Sequence, residues 1–395
     1  MIDGGSLAAG PTPVAPVRPP LWRDVRVLRW AFQFGVLALV MAVLGWLHSN
    51  YRTNVERTNI PTGLSFLDRP SNFEIPGNAM ASTAPVRDAL RQGLLNTLRV
   101  AAAGLVLATI LGTLIGIGRL SKNAIVRSLC TAFVEVVRNI PLLVILLFAN
   151  LGLVLQVLPR IEAAWEPFGL AVLSNRGIAV PWFVGSGRGL LAILAVAAVA
   201  GRVVASWRNR VSDRTGAPAR AATWAICTML LVVLAGWLVL GYEVTTPESA
   251  GRVTAGGIRL DPSFFALLFA LTIYTASHIA EIVRGSIQAV HRGQDEAAQA
   301  LALSAVQRMR FIVLPQAFRI AIPPIGNQYL NLIKNSSLGA AISYFELTNV
   351  TQISVANSSP PVPAFALTLA IYLTISLVVS GGVNLWNRRL ALVTR

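Results

Sequence analysis

Long apolar stretches with very few charged residues run through this chain and restrict it to a lipid environment. An apolar stretch of about 20 residues is long enough to cross the hydrocarbon core of a bilayer as a helix. Hydrophobic residues make up 54% of the sequence and charged residues 13%, whereas about 25% of the residues in ordinary soluble domains are charged. We therefore expect an all-α integral membrane protein with about eight transmembrane helices. The predicted helices cover residues 30–47, 90–118, 129–158, 189–207, 222–242, 263–283, 318–338 and 364–386.

Basic residues are distributed unevenly among the segments that join these helices. The formal net charge is +16, which by itself could indicate a nucleic-acid-binding protein. Most of the excess Lys and Arg falls, however, on one side of the predicted helices, as the positive-inside rule describes for cytoplasmic segments. We therefore expect no nucleic-acid partner, a lipid bilayer around the helices, and both chain termini in the cytoplasm.

Three small residues, Ala108, Gly112 and Gly116, recur at a spacing of four in the second predicted helix. Residues four apart lie on the same face of a helix, and small side chains let two helices approach each other closely in lipid. We expect this face to be a helix-packing surface.

The segment 293–315 is the longest part of the C-terminal half that cannot lie in lipid. Gly293 can end the preceding helix, and Asp295 or Glu296 can then place negative charge at the N-terminus of a new one. Alanine is the strongest helix former, and the alanines at positions 297, 298, 300 and 302 predict a short helix that ends near Ser304. From the residues alone, a solvated loop between membrane helices and an alanine-faced docking surface both remain open.

The same segment resembles the Glu-Ala-Ala cytoplasmic loop of importer-type ABC permeases. The resemblance consists of a Glu-Ala-Ala triplet, a small residue four positions after the second alanine, and, after nine more residues, the pattern Ile-x-Leu-Pro. The family has glycine where this chain has Ala302, which argues against a left-handed turn there, because glycine adopts that conformation more readily than alanine. The matching positions are Glu296, Ala297, Ala298, Ala302, Ile312, Leu314 and Pro315.

Three further segments resemble one branch of that family, the polar amino acid permeases, and within it the general L-amino acid permeases. They are residues 284–290, 315–320 and, far upstream, 137–144. The resemblance implies a type I ABC importer permease in the bacterial inner membrane that carries polar or general L-amino acids. It also implies that Gly293 and Asp295 belong to the surface that couples to the ATPase.

The resemblance further implies a set of partners. These are an ABC ATPase subunit dimer, which would carry ATP and Mg²⁺, a homologous second permease subunit in a heterodimer, an extracytoplasmic amino acid binding protein, and the amino acid itself. This chain would bind no cofactor and would not be an enzyme.

The resemblance covers residues 90–159 and 262–386 and leaves two parts of the chain as additions. We expect a disordered, basic, cytoplasmic segment over 1–29, and an extra N-terminal helix with an extracytoplasmic segment over 30–89. The permease transmembrane domain would cover 90–386, with an inserted helical hairpin at about 160–262 and the coupling loop at about 284–315. Residues 387–395 would form a cytoplasmic tail.

Lys334 lies in a polar cluster late in the seventh predicted helix, after two prolines that interrupt it. An interrupted helix can line an aqueous cavity, and ionisable groups at membrane depth are costly and often functional. Lys334 could attract a substrate carboxylate; equally, it could pair with Glu346 at the outer surface. The candidate substrate-pathway residues are Asn331, Lys334, Asn335, Ser336 and Glu346.

Two pairs of ionisable residues have a spacing of three, at which neighbours on a helix can form ion pairs. They are Glu135 with Arg138, and Glu281 with Arg284. Two interpretations remain open for both pairs: charged residues at membrane depth that take part in transport, and residues at the cytoplasmic membrane surface that orient their helices. We favour the second, because arginine side chains readily reach the membrane surface.

Motifs of other functional classes are missing from the sequence. The two cysteines form no CxxC and the three histidines are far apart, so no metal site is predicted. Neither of the two lysines, Lys122 and Lys334, follows a glycine, so there is no Walker A motif, and HExxH and GxSxG motifs are also absent. An ion-coupled secondary amino acid transporter is the alternative function. It would need acidic residues in mid-membrane, and the predicted helices 90–118, 189–207, 222–242 and 364–386 contain none.

Overall fold

A computed structural model of the chain describes residues 24–58, 63–76, 80–216, 218–251, 253–357 and 359–390. The chain divides into two compact units, Met1–Ser65 and Phe66–Arg395. The first unit contains helix α1 (Val25–Thr58), which extends beyond the predicted residues 30–47 at both ends because the arginines flanking the apolar run are good helix formers. Residues 25–29 are therefore helical and not disordered as we expected. Residues 1–23 of that predicted segment lie outside the described residues.

The second unit is a helical bundle with a small amount of β structure. Its α-helices are α2 (Val86–Gly118), α3 (Ala124–Asn139), α4 (Leu142–Leu147), α5 (Gly187–Thr215), α6 (Ala221–Val239), α7 (Pro262–Gln288), α8 (Arg292–Ala300), α9 (Ala305–Arg308), α10 (Leu314–Asn335), α11 (Leu347–Ala356) and α12 (Pro361–Leu390). Two π-helical segments, Phe148–Val157 and Met309–Val313, continue α4 and α9. The strands are β1 (Val172–Ser174), β2 (Gly177–Val180), β3 (Trp182–Val184), β4 (Glu243–Thr245), β5 (Glu248–Ala250), β6 (Val253–Ala255) and β7 (Ile258–Leu260).

Within the described residues, six helices are long and apolar enough to cross a membrane: α1, α2, α5, α6, α7 and α12. A seventh span is formed if α3 and the helix after it are counted together, although they bend by 104° at the break. Pro141 lies in that break, as its inability to continue a helix predicts. The seventh predicted helix, 318–338, corresponds to α10, which contains Pro323 and Pro324 and is too polar to count as an apolar span. The all-α membrane fold is confirmed. Helix α10 is more polar than the helices that qualify as apolar spans.

The predicted insertion, residues 160–262, contains more than a helical hairpin. Helices α5 and α6 pack against each other, but short strands flank them on both sides. β2 pairs antiparallel with β1 and β7, β3 with β4, and β5 with β6. Strands of three or four residues are too short to give a clear alternating pattern in the sequence, so the sequence did not predict them.

Helix α2 packs closely along α7 through its face of small residues. Ala108, Gly112 and Gly116 are all buried. A Cβ atom added to Gly112 would lie 2.7 Å from the carbonyl oxygen of Ala276, and one added to Gly116 would lie 2.7 Å from that of Ala280. Because these contacts are to backbone, a side chain at either glycine would push α2 and α7 apart. The contact fixes the position of α7, which leads into the segment described next.

Candidate functional site

The short helix α8 follows α7 after a turn. Helix α7 ends at Gln288, and the Nδ1 atom of His291 accepts a hydrogen bond of 3.1 Å from the N–H of Gly293 and caps α8. Gly293 is therefore the second residue of α8, and the prediction that it ends the preceding helix was wrong. The break falls at residues 289–291, because a histidine cap is sufficient to start the new helix there.

Asp295 connects α8 to the helical turn that follows it. Its Oδ2 atom lies 3.2 Å from Nη1 of Arg308 and accepts a hydrogen bond of 2.8 Å from Nε2 of Gln299. Asp295 lies in the first turn of α8, where the helix dipole favours negative charge. Ser304 forms a capping box with Gln307 and begins α9, so α8 ends earlier than the predicted position near Ser304.

The alanines of α8 do not form one surface. Ala298 is only 2% exposed, and α8 packs against the π-helical segment Met309–Val313. Glu296, Ala297 and Ala300 are exposed. Because α8 is helical, adjacent alanines point in different directions. One therefore packs inside the loop, while others are open to a partner.

Ala302 occupies a left-handed turn after α8. Its φ angle is 54°, and its N–H donates to the carbonyl oxygen of Gln299 at 2.8 Å. The expectation that alanine would prevent such a turn was wrong. A non-glycine residue in this conformation costs about 1–2 kcal/mol, and the hydrogen bonds at the end of α8, including that from Leu303 to Ala298 at 3.1 Å, hold the turn in place.

The last matching positions lie where the loop re-enters the bundle. Ile312 and Leu314 are half-buried, and Pro315 is exposed in the first turn of α10, where a missing N–H costs no helical hydrogen bond. Sequence reasoning missed two exposed apolar residues of this loop, Leu301 at 76% and Val306 at 74%. The sequence contained this signal, because large apolar residues are unusual in a segment that is predicted to lie outside lipid.

The candidate substrate-pathway residues are only partly brought together. Lys334 and Asn331 are exposed on α10, and Asn335 is half-buried. Ser336 is fully buried and donates a hydrogen bond of 2.6 Å to the carbonyl oxygen of Ile333. Ser336 therefore stabilises the end of α10 and does not line an open path in this structure.

Glu346 is fully buried and caps α11. Its carboxylate accepts hydrogen bonds from the N–H groups of Thr348 at 2.9 Å and Asn349 at 2.7 Å, and from the hydroxyl of Tyr372 at 2.8 Å. Burial raises the pKa of Glu346, and these hydrogen bonds partly oppose the shift. Among the described residues, Glu346 forms no ion pair with Lys334 and is not exposed, so the alternative in which the two residues pair is not observed. The N-terminus of α11 satisfies this carboxylate instead.

Glu281 is the centre of a charged cluster that sequence reasoning described only in part. Arg284 pairs with Glu281 as their spacing predicts, and Arg119 pairs with it from the end of α2. Nη1 of Arg138 lies 3.7 Å from Oε2 of Glu281. The expected pair of Arg138 with Glu135 is not formed among the described residues. Contacts between helices distant in the sequence produce this cluster, so spacing along one helix could not predict it.

A cavity of about 280 Å³ lies between α2, α7, α10 and α12. Its walls are mostly apolar, and one polar contact crosses it, the 2.8 Å hydrogen bond between Oγ1 of Thr109 and the hydroxyl of Tyr329. The sequence did not predict this cavity. Other lining residues are Ile117, Val283, Phe318 and Val383.

The described part of the chain contains no cluster of three or more His, Cys, Asp or Glu residues that could hold a metal ion. Cys130 and Cys227 are free thiols.

The chain was compared with known proteins. A family model described as "Binding-protein-dependent transport system inner membrane component" matches residues 104–392. The general L-amino acid transport system permease protein AapQ of Rhizobium johnstonii is 39% identical over 372 residues, which cover 92% of each chain. The putative amino-acid ABC transporter permease protein YhdX of Escherichia coli is 38% identical, over 93% of this chain and 95% of its own. The glutamate/glutamine/aspartate/asparagine transport system permease protein BztB of Rhodobacter capsulatus is 35% identical, over 94% of this chain and 96% of its own.

The matched region includes α7, α10 and the segment between them, residues 289–313, which we call the α8 loop. The three similar permeases align with nearly the whole chain. The chain belongs to the family of inner membrane components of binding-protein-dependent transport systems.

Proposed function

We propose that this chain is a transmembrane permease subunit of an ABC importer for amino acids. Its family makes it a component of a membrane transport system and not an enzyme. The amino acid assignment is supported by the three relatives described above, whose names all refer to amino acid transport and whose lengths are almost fully matched. Polar or general L-amino acids are the proposed substrates.

The α8 loop is the observation that carries the coupling part of the proposal. Glu296, Ala297 and Ala300 are exposed on a helix that lies outside the apolar spans. We assign these exposed residues to direct contact with an ABC ATPase subunit. Small side chains on an exposed helix let a partner approach its backbone closely. The remaining positions shape and orient the loop, namely Gly293, Asp295, Ala298, Ala302, Ile312, Leu314 and Pro315.

The proposed assembly contains this chain, a homologous second permease subunit, an ATPase dimer and an extracytoplasmic amino acid binding protein. ATP and Mg²⁺ would bind the ATPase subunits. Closure of the ATPase dimer would move α8 and, through α7 and α10, switch the bundle between inward-open and outward-open states. The close packing of α2 along α7 supports transmission of this movement, because a shift of one helix displaces the other.

The proposed topology places the α8 loop and both termini in the cytoplasm of a bacterial cell, with the chain in the inner membrane. Residues 90–386 form the permease domain, and residues 30–89 and the insertion at 160–262 are additions to it. Lys334 and Asn331 are proposed to face the substrate path from α10, with Asn335 beside them, while Ser336 and Glu346 support the helix ends behind them.

Reconstituted uptake tests this function. Proteoliposomes that contain this chain, its partner permease and the ATPase are given binding protein and labelled amino acid outside and ATP inside. We expect uptake to require ATP and to continue after an uncoupler collapses the ion gradients. Proteoliposomes with a hydrolysis-deficient ATPase are the control and should be inactive. Uptake that needs no ATP and stops with the uncoupler would instead indicate the ion-coupled secondary transporter.

A further inference from the structure

A second charged site lies away from α8, where α2, α3 and α7 meet. Arg119 directly follows α2, Arg138 lies at the end of α3, and Glu281 and Arg284 belong to α7. All three arginines direct a guanidinium group toward the Glu281 carboxylate. Three helices therefore meet at one carboxylate, on the side of the bundle where α7 leads to α8.

The positive charges of this cluster exceed the negative charges. Arginine stays protonated in proteins, so Arg119, Arg138 and Arg284 give three positive charges against the single charge of Glu281. Glu135 also lines the site, but it is exposed and forms no ion pair with these arginines among the described residues. Even with Glu135 counted, three positive charges face two negative ones.

The cluster also has hydrogen-bond donors to spare, and Arg138 supplies them. Its Nη1 atom lies 3.7 Å from Oε2 of Glu281, which is too long for a hydrogen bond. Its side chain is 41% exposed, so a ligand in the solvent can reach the guanidinium group and accept hydrogen bonds from it. Within the described part of the chain the Nε atoms of Arg119 and Arg284 also lack a partner, but they are buried and not accessible to a ligand in this structure.

A cavity of about 380 Å³ opens beside these groups. Polar side chains line most of it, in contrast to the apolar cavity between α2 and α10. The lining residues include Arg119, Glu135, Arg138, His278, Glu281 and Arg284. The neighbouring helix α3 carries strongly exposed apolar side chains, among them Ile125, Leu129 and Val136. The cavity therefore lies next to a surface that suits lipid.

We infer that this cavity is a binding site for an oxyanion, and that the phosphate of an anionic phospholipid is its occupant. Guanidinium groups bind phosphate through paired, charge-assisted hydrogen bonds, and basic pockets between transmembrane helices bind anionic headgroups. A free phosphate or carboxylate has the same chemistry. The lipid-facing side chains of α3 favour the bilayer as the source.

Native mass spectrometry of the purified transporter complex tests the inference. The delipidated complex is titrated with dioleoylphosphatidylglycerol, with dioleoylphosphatidylcholine, and separately with inorganic phosphate. We expect the wild-type complex to bind dioleoylphosphatidylglycerol, which is anionic, at least about fivefold more tightly than dioleoylphosphatidylcholine, which has no net charge. Arg138→Gln should abolish this preference. Arg138→Lys, which keeps the charge, should retain most of it.

Arg127→Gln is the matched control, because Arg127 lies on the same helix and the one contact described for its side chain is to the carbonyl oxygen of Ser121. It should bind both lipids as the wild type does. A second outcome is that the wild type shows no lipid preference but binds inorganic phosphate, and that Arg138→Gln abolishes this phosphate binding. The site would then bind an oxyanion, and its occupant would be a soluble anion. If Arg138→Gln binds each of the three probes as tightly as the wild type does, the inference is overturned.

Discussion

Arg308 and Asp295 form an ion pair at 3.2 Å although they belong to different helices, α9 and α8. The pair holds the exposed helix in a fixed orientation relative to the turn that leads back into the bundle. Gln299 also donates to the Asp295 carboxylate, so the contact is a small network rather than a single surface pair.

We expect Asp295→Asn and Arg308→Gln each to weaken association with the ATPase by a few-fold, because partly exposed ion pairs contribute up to about 1 kcal/mol. The measurement is the amount of ATPase that co-purifies with each variant. The double variant should lose little more than either single variant, since both remove the same contact. Fully additive losses would show that the two residues act separately.

Glu296→Lys should leave the protein inserted in the membrane and block uptake, because it reverses an exposed charge on the proposed docking face. Co-purification of the ATPase measures the effect directly. Undiminished association together with normal transport would contradict the assignment of α8 as the coupling helix.

Ala297→Trp and Ala298→Trp should both impair coupling to the ATPase, but for different reasons. Ala297 is exposed, so its variant should keep a protease-resistant loop and lose ATPase association. Ala298 is buried, and an oversized side chain there costs about 1–3 kcal/mol or more, so its variant should make the α8 loop sensitive to limited proteolysis. The same proteolysis pattern in both variants would contradict this division of the helix faces.

Gly112→Ala should lower the thermal stability of the complex, because the added Cβ would approach the Ala276 carbonyl oxygen to 2.7 Å. Gly285→Ala is the control, since a Cβ at this position on α7 meets nothing within 4 Å. That control should be neutral or slightly stabilising, because alanine favours a helix more than glycine does. Equal melting temperatures for the two variants would contradict close packing of α2 on α7.

The buried carboxyl of Glu346 predicts a pH dependence. Its pKa is raised above the ordinary value of 4.5, so the stability that this group contributes is fully present below pH 4.5 and is lost as the pH rises through the raised pKa. The melting temperature of the wild type relative to Glu346→Gln should therefore fall with increasing pH. Tyr372→Phe, which removes one donor to the carboxylate, should be most harmful at high pH. If the difference in melting temperature between the wild type and Glu346→Gln does not change with pH, the raised pKa of Glu346 is contradicted.

Lys334→Met should change the apparent affinity or rate of amino acid uptake without changing ATPase association. Lys334 is exposed on α10, where it could meet a substrate carboxylate. Lys122→Met is a suitable control, because Lys122 lies in the turn after α2. An unchanged uptake profile in Lys334→Met would leave this lysine with a structural role only.

The sequence predicted the membrane class, the break at Pro141 and the existence of α8, because each depends on local composition or on a single residue type. It did not predict the convergence of Arg119 and Arg138 on Glu281, since this depends on how α2, α3 and α7 pack. The burial of Glu346 was missed for a similar reason. The Glu346 carboxylate caps α11 out of contact with solvent, and one of its hydrogen bonds comes from Tyr372 on α12, a helix whose packing the local sequence does not specify. The sequence also did not predict the short strands around α5 and α6, because their side chains are too few to show a period.

The left-handed turn at Ala302 has a consequence for how firmly the end of α8 is held. Alanine rarely adopts this conformation, whereas glycine adopts it freely. The turn therefore depends on the hydrogen bonds at the end of α8, from Ala302 to Gln299 and from Leu303 to Ala298. A displacement that breaks these hydrogen bonds also relieves the backbone strain at Ala302, so the turn favours release of this end of the helix.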